Sequence, residues 1–374
     1  MLQARRLFRP WFVSCLLCLV YVFIIILNNK GNPMALVTIG TRFSEHIPAE
    51  QDGTEGYDGQ FNYFIARDPS TASQFLDVPA YRFQRILFPM LGRVLALGQP
   101  DLIPWAFLLI NLVSLAVGTA LLEKLLVSFG VSRWYAFTYG LTLGIFGSVR
   151  LSLSEPLAYG LVIGGILLAR EKRWLWAAVV LALAALAKET TLIFVGAYGL
   201  YLLTQRDIKN ALLLGMIAVV PFAMWQLILR STLGEMGIGS GGAMATSFEI
   251  IPFAGVARIW TDTPAEARGT ILLILGPMLL IFVLIPTIWA LWAGIKAVQR
   301  GKWSAETSLL LVNAAVMLFV PFSTYREPIG ILRFIVGLQI AVILFAAQNK
   351  RFRVLRNSTL WIVTVFFVLT LVTS

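Results

Sequence analysis

The chain of 374 residues has few charged side chains, which make up 13% of its residues. A typical soluble domain has about 25%, so this composition excludes an ordinary soluble protein. Apolar residues account for 58% of the chain, and the mean hydropathy is +0.81. The sequence therefore predicts an all-α fold, a polytopic bundle of transmembrane helices.

Histidine and cysteine are also scarce. His46 is the one histidine, so multi-histidine metal centres are excluded, and a Ser-His-Asp arrangement would have to use this loop residue. Cys15 and Cys18 form a C-x-x-C inside an apolar segment, where a zinc ion would lack its other two ligands. We interpret His46 as a solvated side chain and the cysteines as packing residues, and we predict no metal site from them.

Long apolar runs are abundant, and each membrane-crossing helix needs about 20 apolar residues. Arg5, Arg6 and Arg9 precede the first run as in a signal peptide, but residues 28–33 offer no small-x-small cleavage site, so we expect an uncleaved anchor. Eleven spans are predicted, at 11–27, 102–122, 134–149, 156–169, 174–187, 190–204, 211–229, 270–293, 306–321, 331–347 and 359–373.

The whole chain, 1–374, reads as a single transmembrane domain with two long outer loops. The first loop, 28–101, contains the apolar segment 86–98, which is too short to cross a membrane and is interrupted by a proline, a glycine and an arginine. We expect this segment to be an interfacial or re-entrant helix. The second loop, 230–269, is a candidate lid.

The basic residues gather on one side of this topology. The inner loops take 17 of the 30 basic residues but only four of the 19 acidic residues, which gives +13 inside and −2 outside. Because positive loops stay in the cytoplasm, the N-terminus is predicted to be cytoplasmic. The net charge of +11 then reflects topology and anionic membrane lipids as partners, not nucleic acid.

Charged residues also stand at the outer ends of short apolar runs. The run 174–187 has 14 residues, which cover about 21 Å of a hydrocarbon core of roughly 30 Å. Lys188 and Glu189, which follow it, are therefore predicted to lie below the membrane surface.

The same argument applies to Glu155 and, more loosely, to Arg326 and Arg333. A charge inside the membrane costs about 2.5–3.5 kcal/mol on insertion scales, so a cluster of charges predicts a sunken polar cavity that opens outwards. The alternative interpretation is that Lys188 snorkels to the surface and pairs with Glu189, while Glu155 only caps a helix.

The first outer loop combines carboxylates with arginines. Asp58 belongs to its acidic part, and Arg82 and Arg85 belong to a basic and aromatic run. A carboxylate can take a proton from an incoming hydroxyl while arginines neutralise a departing phosphate, so the pattern favours transfer from a phosphate leaving group. Asp58 between Tyr57 and Gly59 is also a plain turn signal, and by spacing alone both interpretations stay open.

Four strings of the sequence carry a family resemblance. They resemble bacterial multi-span glycosyltransferases of the GT-C type, which are associated with cell-surface glycopolymers. More distantly, they are similar to mannosyltransferases that use polyprenyl- or dolichyl-phosphate mannose. The topology of most of the chain fits the resemblance, and the specific strings are residues 56–69, 79–89, 154–158 and 186–190.

The resemblance implies a GT-C-like bundle, a lipid-phosphate sugar donor and an inverting displacement at the anomeric carbon. It also implies a catalytic aspartate in the first outer loop, which makes Asp58 the base. Arg82 and Arg85 become candidates for the donor phosphate, and Tyr57 and Gln60 become substrate-binding candidates.

Five further substrate-binding candidates have different origins. Glu155, Lys188 and Glu189 match motif positions, and their roles are inferred, not transferred from the family. Arg326 and Arg333 rest on the predicted topology alone.

The chain departs from the family in one respect. Many GT-C enzymes place two adjacent acidic residues at the catalytic position, whereas Asp58 is followed by Gly59. Whether Asp52 or Glu55 assists stays open, and so does the use of a divalent cation. No other cofactor is expected.

We therefore expect a membrane glycosyltransferase that moves one sugar, a hexose or pentose, from a polyprenyl-phosphate carrier to a hydroxyl on a lipid-linked glycan or other envelope acceptor. The expected location is the bacterial inner membrane, with the active site on the periplasmic face. Neither a nucleotide nor ATP is needed, because the leaving polyprenyl phosphate supplies the driving force. The alternatives are a lipid-linked-glycan flippase or secondary transporter, and a non-catalytic subunit of a glycan-assembly complex.

Overall fold

A computed structural model of the protein describes residues 8–242 and 244–372. The described residues form helices and connecting loops, and none of them lies in a β-strand. The all-α prediction is therefore confirmed for this part of the chain. Arg5, Arg6 and the last residue of the predicted span 359–373 lie outside the described residues.

Eighteen α-helices of five or more residues occur in the described ranges. They are α1 (Pro10–Asn28), α2 (Gly59–Arg67), α3 (Pro79–Phe83), α4 (Leu87–Leu95), α5 (Ile103–Ser128), α6 (Glu155–Arg170), α7 (Trp174–Ala187), α8 (Leu192–Thr204), α9 (Ile208–Ala218), α10 (Val220–Leu233), α11 (Ala254–Thr261), α12 (Ala265–Leu279), α13 (Ile285–Gln299), α14 (Ala305–Met317), α15 (Phe322–Arg326), α16 (Pro328–Phe334), α17 (Val336–Gln348) and α18 (Phe352–Ser358). Short α-helical turns lie at Thr41–Ser44, Phe137–Gly140 and Ser148–Arg150. The 3-10 helices are Pro33–Leu36, Ala49–Gln51, Ala72–Phe75, Pro100–Leu102, Arg133–Ala136, Glu189–Thr191 and Thr359–Val372, and the π-helical turns are Leu143–Gly147 and Leu280–Leu284.

Among the described residues, four helical stretches are long and apolar enough to cross a membrane. They are α1, Pro100–Ser128, Ile208–Leu233 and Ile271–Gln299, and the pair α16–α17, bent by 41°, would make a fifth. These stretches are consistent with an integral membrane protein. The prediction of eleven spans is not supported.

Two physical reasons explain the lower number, and the first is helix length. The helices α7, α8 and α14 contain 14, 13 and 13 residues. At 1.5 Å per residue they measure only about 20 Å, against a hydrocarbon core of roughly 30 Å. The predicted bounds 174–187 coincide with those of α7, but the helix is too short to qualify as a span by itself.

The second reason is a break in the predicted span 134–149, which is divided into short 3-10, α and π turns. Glycine allows a close approach here, since a Cβ atom at Gly140 would lie 2.6 Å from Ser14 Oγ in α1. The regular hydrogen-bond ladder is interrupted, and the Leu143 N–H donates to Thr364 Oγ1 at 3.1 Å instead. This segment is therefore a series of short helical turns packed against other helices, and not one continuous helix.

The helix α17 lies at the centre of the core. Every residue from Val336 to Ala347 is buried, as expected for a helix that is apolar on all sides. The bend before it, at Ile335, joins it to α16, whose last turn contains Arg333. The buried helix therefore fixes the position of a charged side chain at its own N-terminal end.

The first outer loop folds onto α5 through aromatic contacts. The rings of Phe88 in α4 and Phe107 in α5 stack with their centroids 4.6 Å apart. A Cβ atom at Gly92 would lie 2.2 Å from the Phe107 ring, so glycine is required for this packing. The segment 86–98 forms the nine-residue helix α4, which is too short to span, as predicted. Its interfacial or re-entrant placement stays a prediction.

Candidate functional site

Asp58 directly precedes α2, and its carboxylate does not cap that helix. The following residue is packed against the backbone, since a Cβ atom at Gly59 would lie 2.1 Å from the carbonyl oxygen of Leu151. A second acidic side chain cannot fit there. The departure from the paired-acid pattern therefore has a steric cause in this chain.

Two arginines from distant parts of the chain converge on Asp58. Arg82 Nη1 donates to Asp58 Oδ1 at 2.9 Å, and Arg333 Nη1 donates to Asp58 Oδ2 at 3.0 Å. The Asp58 side chain is 30% exposed, whereas the side chains of Arg82 and Arg333 are 11% and 8% exposed. The carboxylate is thus the most exposed member of this group, and the two arginines that bond to it are more deeply buried.

Arg82 is itself held by Asp77, a residue that the sequence reasoning missed. Asp77 Oδ1 accepts from Arg82 Nε and Oδ2 accepts from Arg82 Nη2, both at 2.7 Å. This two-point contact fixes the plane of the guanidinium group, and the ring of Phe61 lies 4.1 Å from its central carbon. The available signal in the sequence was an acidic residue two positions before Pro79, the first residue of α3, and five positions before Arg82.

Glu155 links Arg333 to a buried lysine. Glu155 Oε1 accepts from both Lys188 Nζ and Arg333 Nε at 2.7 Å, and the Glu155 and Lys188 side chains are 1% and 6% exposed. The alternative interpretation is wrong on this point, because Lys188 does not reach the surface or pair with Glu189, and Glu155 does not cap α6. Asp58 and Lys188 are therefore linked through Arg333 and Glu155, and a role of Lys188 in substrate binding stays a prediction.

Arg85 is paired with a carboxylate other than Asp58. It makes a two-point contact with Glu189, at 2.8 Å from Nε and 2.6 Å from Nη2, and Nη2 also donates to Tyr81 Oη at 2.8 Å. The structure records no hydrogen bond between Arg85 and Asp58. Arg85 is thus a buried neighbour of the cluster that lines the same small pocket as Arg82, and its role in binding a donor phosphate stays a prediction.

Tyr57 and Gln60 both belong to the site, but they use their polar groups differently. Tyr57 Oη donates to Glu327 at 2.7 Å and accepts from Arg333 at 3.1 Å. Gln60 accepts from the Gly40 N–H at 3.0 Å and donates to the carbonyl oxygen of Glu55 at 2.8 Å. Gln60 therefore connects two parts of the loop that precedes Asp58.

Asp58 lines an open cavity of about 600 Å³ between the two outer loops and α15. Arg82, Tyr57 and Phe61 line the inner part, and Arg326 lies in the lining as an exposed side chain stacked on Phe322. Gly242 and Met244 bring the second outer loop to the same cavity, next to Ser323 of α15. The volume is in the range of small-molecule sites, about 300–1,000 Å³.

Next to the carboxylate lies a small pocket of about 10 Å³, which Arg82, Arg85, Arg333 and Glu155 help to line. Glu155 Oε2 is buried and has no hydrogen-bond partner among the described residues. A pocket of this size holds about one water molecule. This pocket is therefore too small for a phosphate group, whereas the open cavity has room for one.

Opposing effects act on the Asp58 carboxyl group. Burial favours its neutral form, but the guanidinium groups of Arg82 and Arg333 favour the anion more strongly and hold the pKa of Asp58 well below its ordinary value. The carboxylate is therefore charged at every pH at which the protein would work, and it is a weak base while both arginines contact it.

The other acidic residues of the loop are placed less favourably. Asp52 is exposed and does not line the open cavity, and Glu55, which does, pairs with Arg42. Within 8–242 and 244–372, no three metal-binding side chains come together as a group. His46 is exposed and stacks on Phe75, as expected for a solvated residue. Whether a divalent cation takes part stays open.

Comparison of the chain with protein-family models, with curated proteins and with solved structures finds no match. The glycosyltransferase resemblance of the strings at 56–89 and 152–190 therefore stays a prediction. The fold and the site define a more general class of protein. It is an apolar helical bundle with membrane-capable helices and a charged, open cavity at one end.

Proposed function

We propose that this chain is an integral membrane glycosyltransferase. It transfers one sugar from a polyprenyl-phosphate donor to a hydroxyl of a lipid-linked glycan or other envelope acceptor, with inversion at the anomeric carbon. One observation supports this proposal most directly: a partly exposed carboxylate, Asp58, lies in an open cavity with arginine bonded to each of its oxygens.

The site supplies what such a displacement requires. The acceptor oxygen bonds to the anomeric carbon while the bond from that carbon to the phosphate oxygen breaks, and the bonding electrons leave with the polyprenyl phosphate. Asp58 takes the acceptor proton as general base. Arg82, which lines the open cavity, neutralises the charge that develops on the departing phosphate.

Donor binding also activates the base. The phosphate group competes with Asp58 for the hydrogen bonds of Arg82, and each bond that moves to the phosphate raises the basicity of the carboxylate. The exposed Arg326 at the cavity wall provides a further cation for the same phosphate. Tyr57, Tyr81 and Phe61 give the cavity an aromatic wall against which a sugar ring can pack.

The remaining candidates position these groups. Lys188 and Glu155 fix Arg333, and Glu189 fixes Arg85. In the proposed topology the N-terminus is cytoplasmic in a bacterial inner membrane, and the cavity faces the periplasm. The basic residues at the end of α6 away from Asp58, Arg170, Lys172 and Arg173, support this orientation.

Replacing the base tests the proposal. Asp58→Asn keeps the size of the side chain but cannot take the proton, and loss of a general base lowers kcat by about 100- to 10,000-fold. The measurement is sugar transfer from a panel of polyprenyl-phosphate sugars by the purified, detergent-solubilised protein.

The matched control is Asp68→Asn in the same loop, whose carboxylate bonds only to Ser70 and Thr71 in the described structure. It should retain full transfer. Full activity in Asp58→Asn, with the protein folded, would remove Asp58 as the base. Absence of transfer with every donor by the unmodified protein would remove the proposed function itself.

A second candidate, a lipid-linked-glycan transporter, is favoured by one observation. Arg333 lies just before the 41° bend between α16 and α17, and discontinuous helices hold substrates in many transporters. Flux of a lipid-linked glycan across proteoliposomes, without sugar transfer, would support this candidate.

A further inference from the structure

A second cleft, of about 740 Å³, lies at the end of the bundle opposite to Asp58. It is formed where the turn between α6 and α7 meets the end of α8 and the start of α9. Its lining includes three cations, Lys172, Arg173 and Lys209, and one carboxylate, Asp207. The cleft therefore attracts anions.

The cations are not neutralised by neighbouring side chains. Asp207 caps α9, since its Oδ1 accepts from the Asn210 N–H at 3.3 Å and its Oδ2 accepts from Asn210 Nδ2 at 2.8 Å. Among the described residues, Lys172, Arg173 and Lys209 form no ion pair. By contrast, Lys350, at the corresponding end of α17, donates to the carbonyl oxygen of Phe129.

The lining changes in character with depth. The cations lie in the turn between α6 and α7 and in the first turn of α9, whereas Leu213 lies about one helical turn beyond Lys209 along α9. Trp174, at the start of α7, and Tyr201, near the end of α8, also line the cleft, and the wall continues through Leu175 and Trp176, which are 49% and 54% exposed. Aromatic rings at such a boundary are typical of the membrane interface.

We propose that this cleft binds one anionic phospholipid, with the phosphodiester headgroup on the three cations and the acyl chains along Leu213, Leu175 and Trp176. The order of charge, aromatic ring and aliphatic side chain matches the order of phosphate, glycerol ester and acyl chain in such a lipid. Basic clefts between helices recognise lipid headgroups in this way. The exposed apolar wall favours a lipid over a soluble phosphate, which would leave that wall unused.

Native mass spectrometry of the full chain tests the proposal, with phosphatidylglycerol and phosphatidylcholine of identical acyl chains as probes. Phosphatidylglycerol should bind more tightly. The triple substitution Lys172→Gln, Arg173→Gln and Lys209→Gln should weaken its binding by about 100-fold, because each cation near an anionic headgroup contributes a factor of about five. Binding of phosphatidylcholine should not change.

The matched control replaces three exposed cations at the same end of the bundle but outside the cleft, Arg300→Gln, Lys302→Gln and Arg353→Gln, and should leave binding within about twofold of the unmodified protein. Equal affinity of the unmodified protein for both lipids would overturn the proposal. So would an equal loss in the control variant, or inorganic phosphate that binds as tightly as the lipid. Should the triple variant not fold, the comparison of the two lipids on the unmodified chain decides alone.

Discussion

The two ends of α6 differ in how their charges are paired. At the Arg170 end, Arg170 contacts Glu306 at 3.3 Å and the neighbouring Lys124 contacts Glu171 at 3.0 Å, and both cations are more than a third exposed. At the Glu155 end, one carboxylate oxygen is shared between Lys188 and Arg333, and all three side chains are less than a tenth exposed. One end has separate pairs with solvated cations, and the other has a buried network.

The difference shows where the fold tolerates a large desolvation cost. Solvated pairs contribute about 0–1 kcal/mol and need no special arrangement. Burying charges costs several kcal/mol per ion, which only close geometry and full pairing offset. Because a network is no more stabilising than apolar packing would be, its presence at the Asp58 end is more readily explained by chemistry than by stability.

The largest expected effect comes from the shared carboxylate. Glu155→Gln removes the anion that Arg333 and Lys188 share, and breaking a buried pair costs about 3–5 kcal/mol. Unfolding of the purified protein in mixed micelles should show this loss. Stability equal to that of the unmodified chain would mean that the network is not energetically coupled.

The next effect concerns the positioning of Arg82. Asp77→Asn keeps one acceptor for Arg82 and loses the second, so the guanidinium group shifts, and a shift of about 1 Å near reacting groups lowers rates by about 100-fold. The loss should fall on kcat more than on KM in the proposed transfer assay. A purely structural role would instead lower the melting temperature without changing kcat of the folded fraction.

The third prediction uses the pKa of Asp58. Arg82 helps to hold that pKa below its ordinary value. The ionised carboxylate therefore stabilises the fold at pH values above its ordinary pKa, and this contribution is lost as pH falls through the lowered pKa. Arg82→Gln raises the pKa of Asp58. The acid limb of the transfer rate should therefore move to higher pH, and an unmoved limb would assign it to another group.

The smallest effect is expected at the opposite end. Lys124→Gln breaks the solvated pair with Glu171, which is 39% exposed, and should change the free energy of unfolding by less than about 1 kcal/mol. Measured in the same micelles as Glu155→Gln, it serves as the matched comparison. A loss as large as that of Glu155→Gln would abolish the distinction between the two ends.

Local features of this chain could be predicted well. The bounds of α7 agree with the apolar run 174–187, since a run dominated by alanine and leucine has strong helix propensity and ends at a charged residue. The presence of charged residues at the ends of helices was also predicted. The number of membrane-capable helices was not predicted correctly. Hydropathy does not show whether an apolar segment continues as one helix or, as in 134–149, breaks where glycines let neighbouring helices approach.

Composition and hydropathy determined by themselves that this is an apolar, all-α, membrane-type chain with Asp58 in a loop and with Glu155 and Lys188 at helix ends. Only the tertiary structure decided which charges meet. Arg333 bonds to Asp58 across 275 positions of sequence, and Lys188 bonds to Glu155 and not to its neighbour Glu189. The reason is physical: hydrophobicity acts along each segment, whereas ion pairing depends on distances of about 3 Å that the packing of whole helices sets.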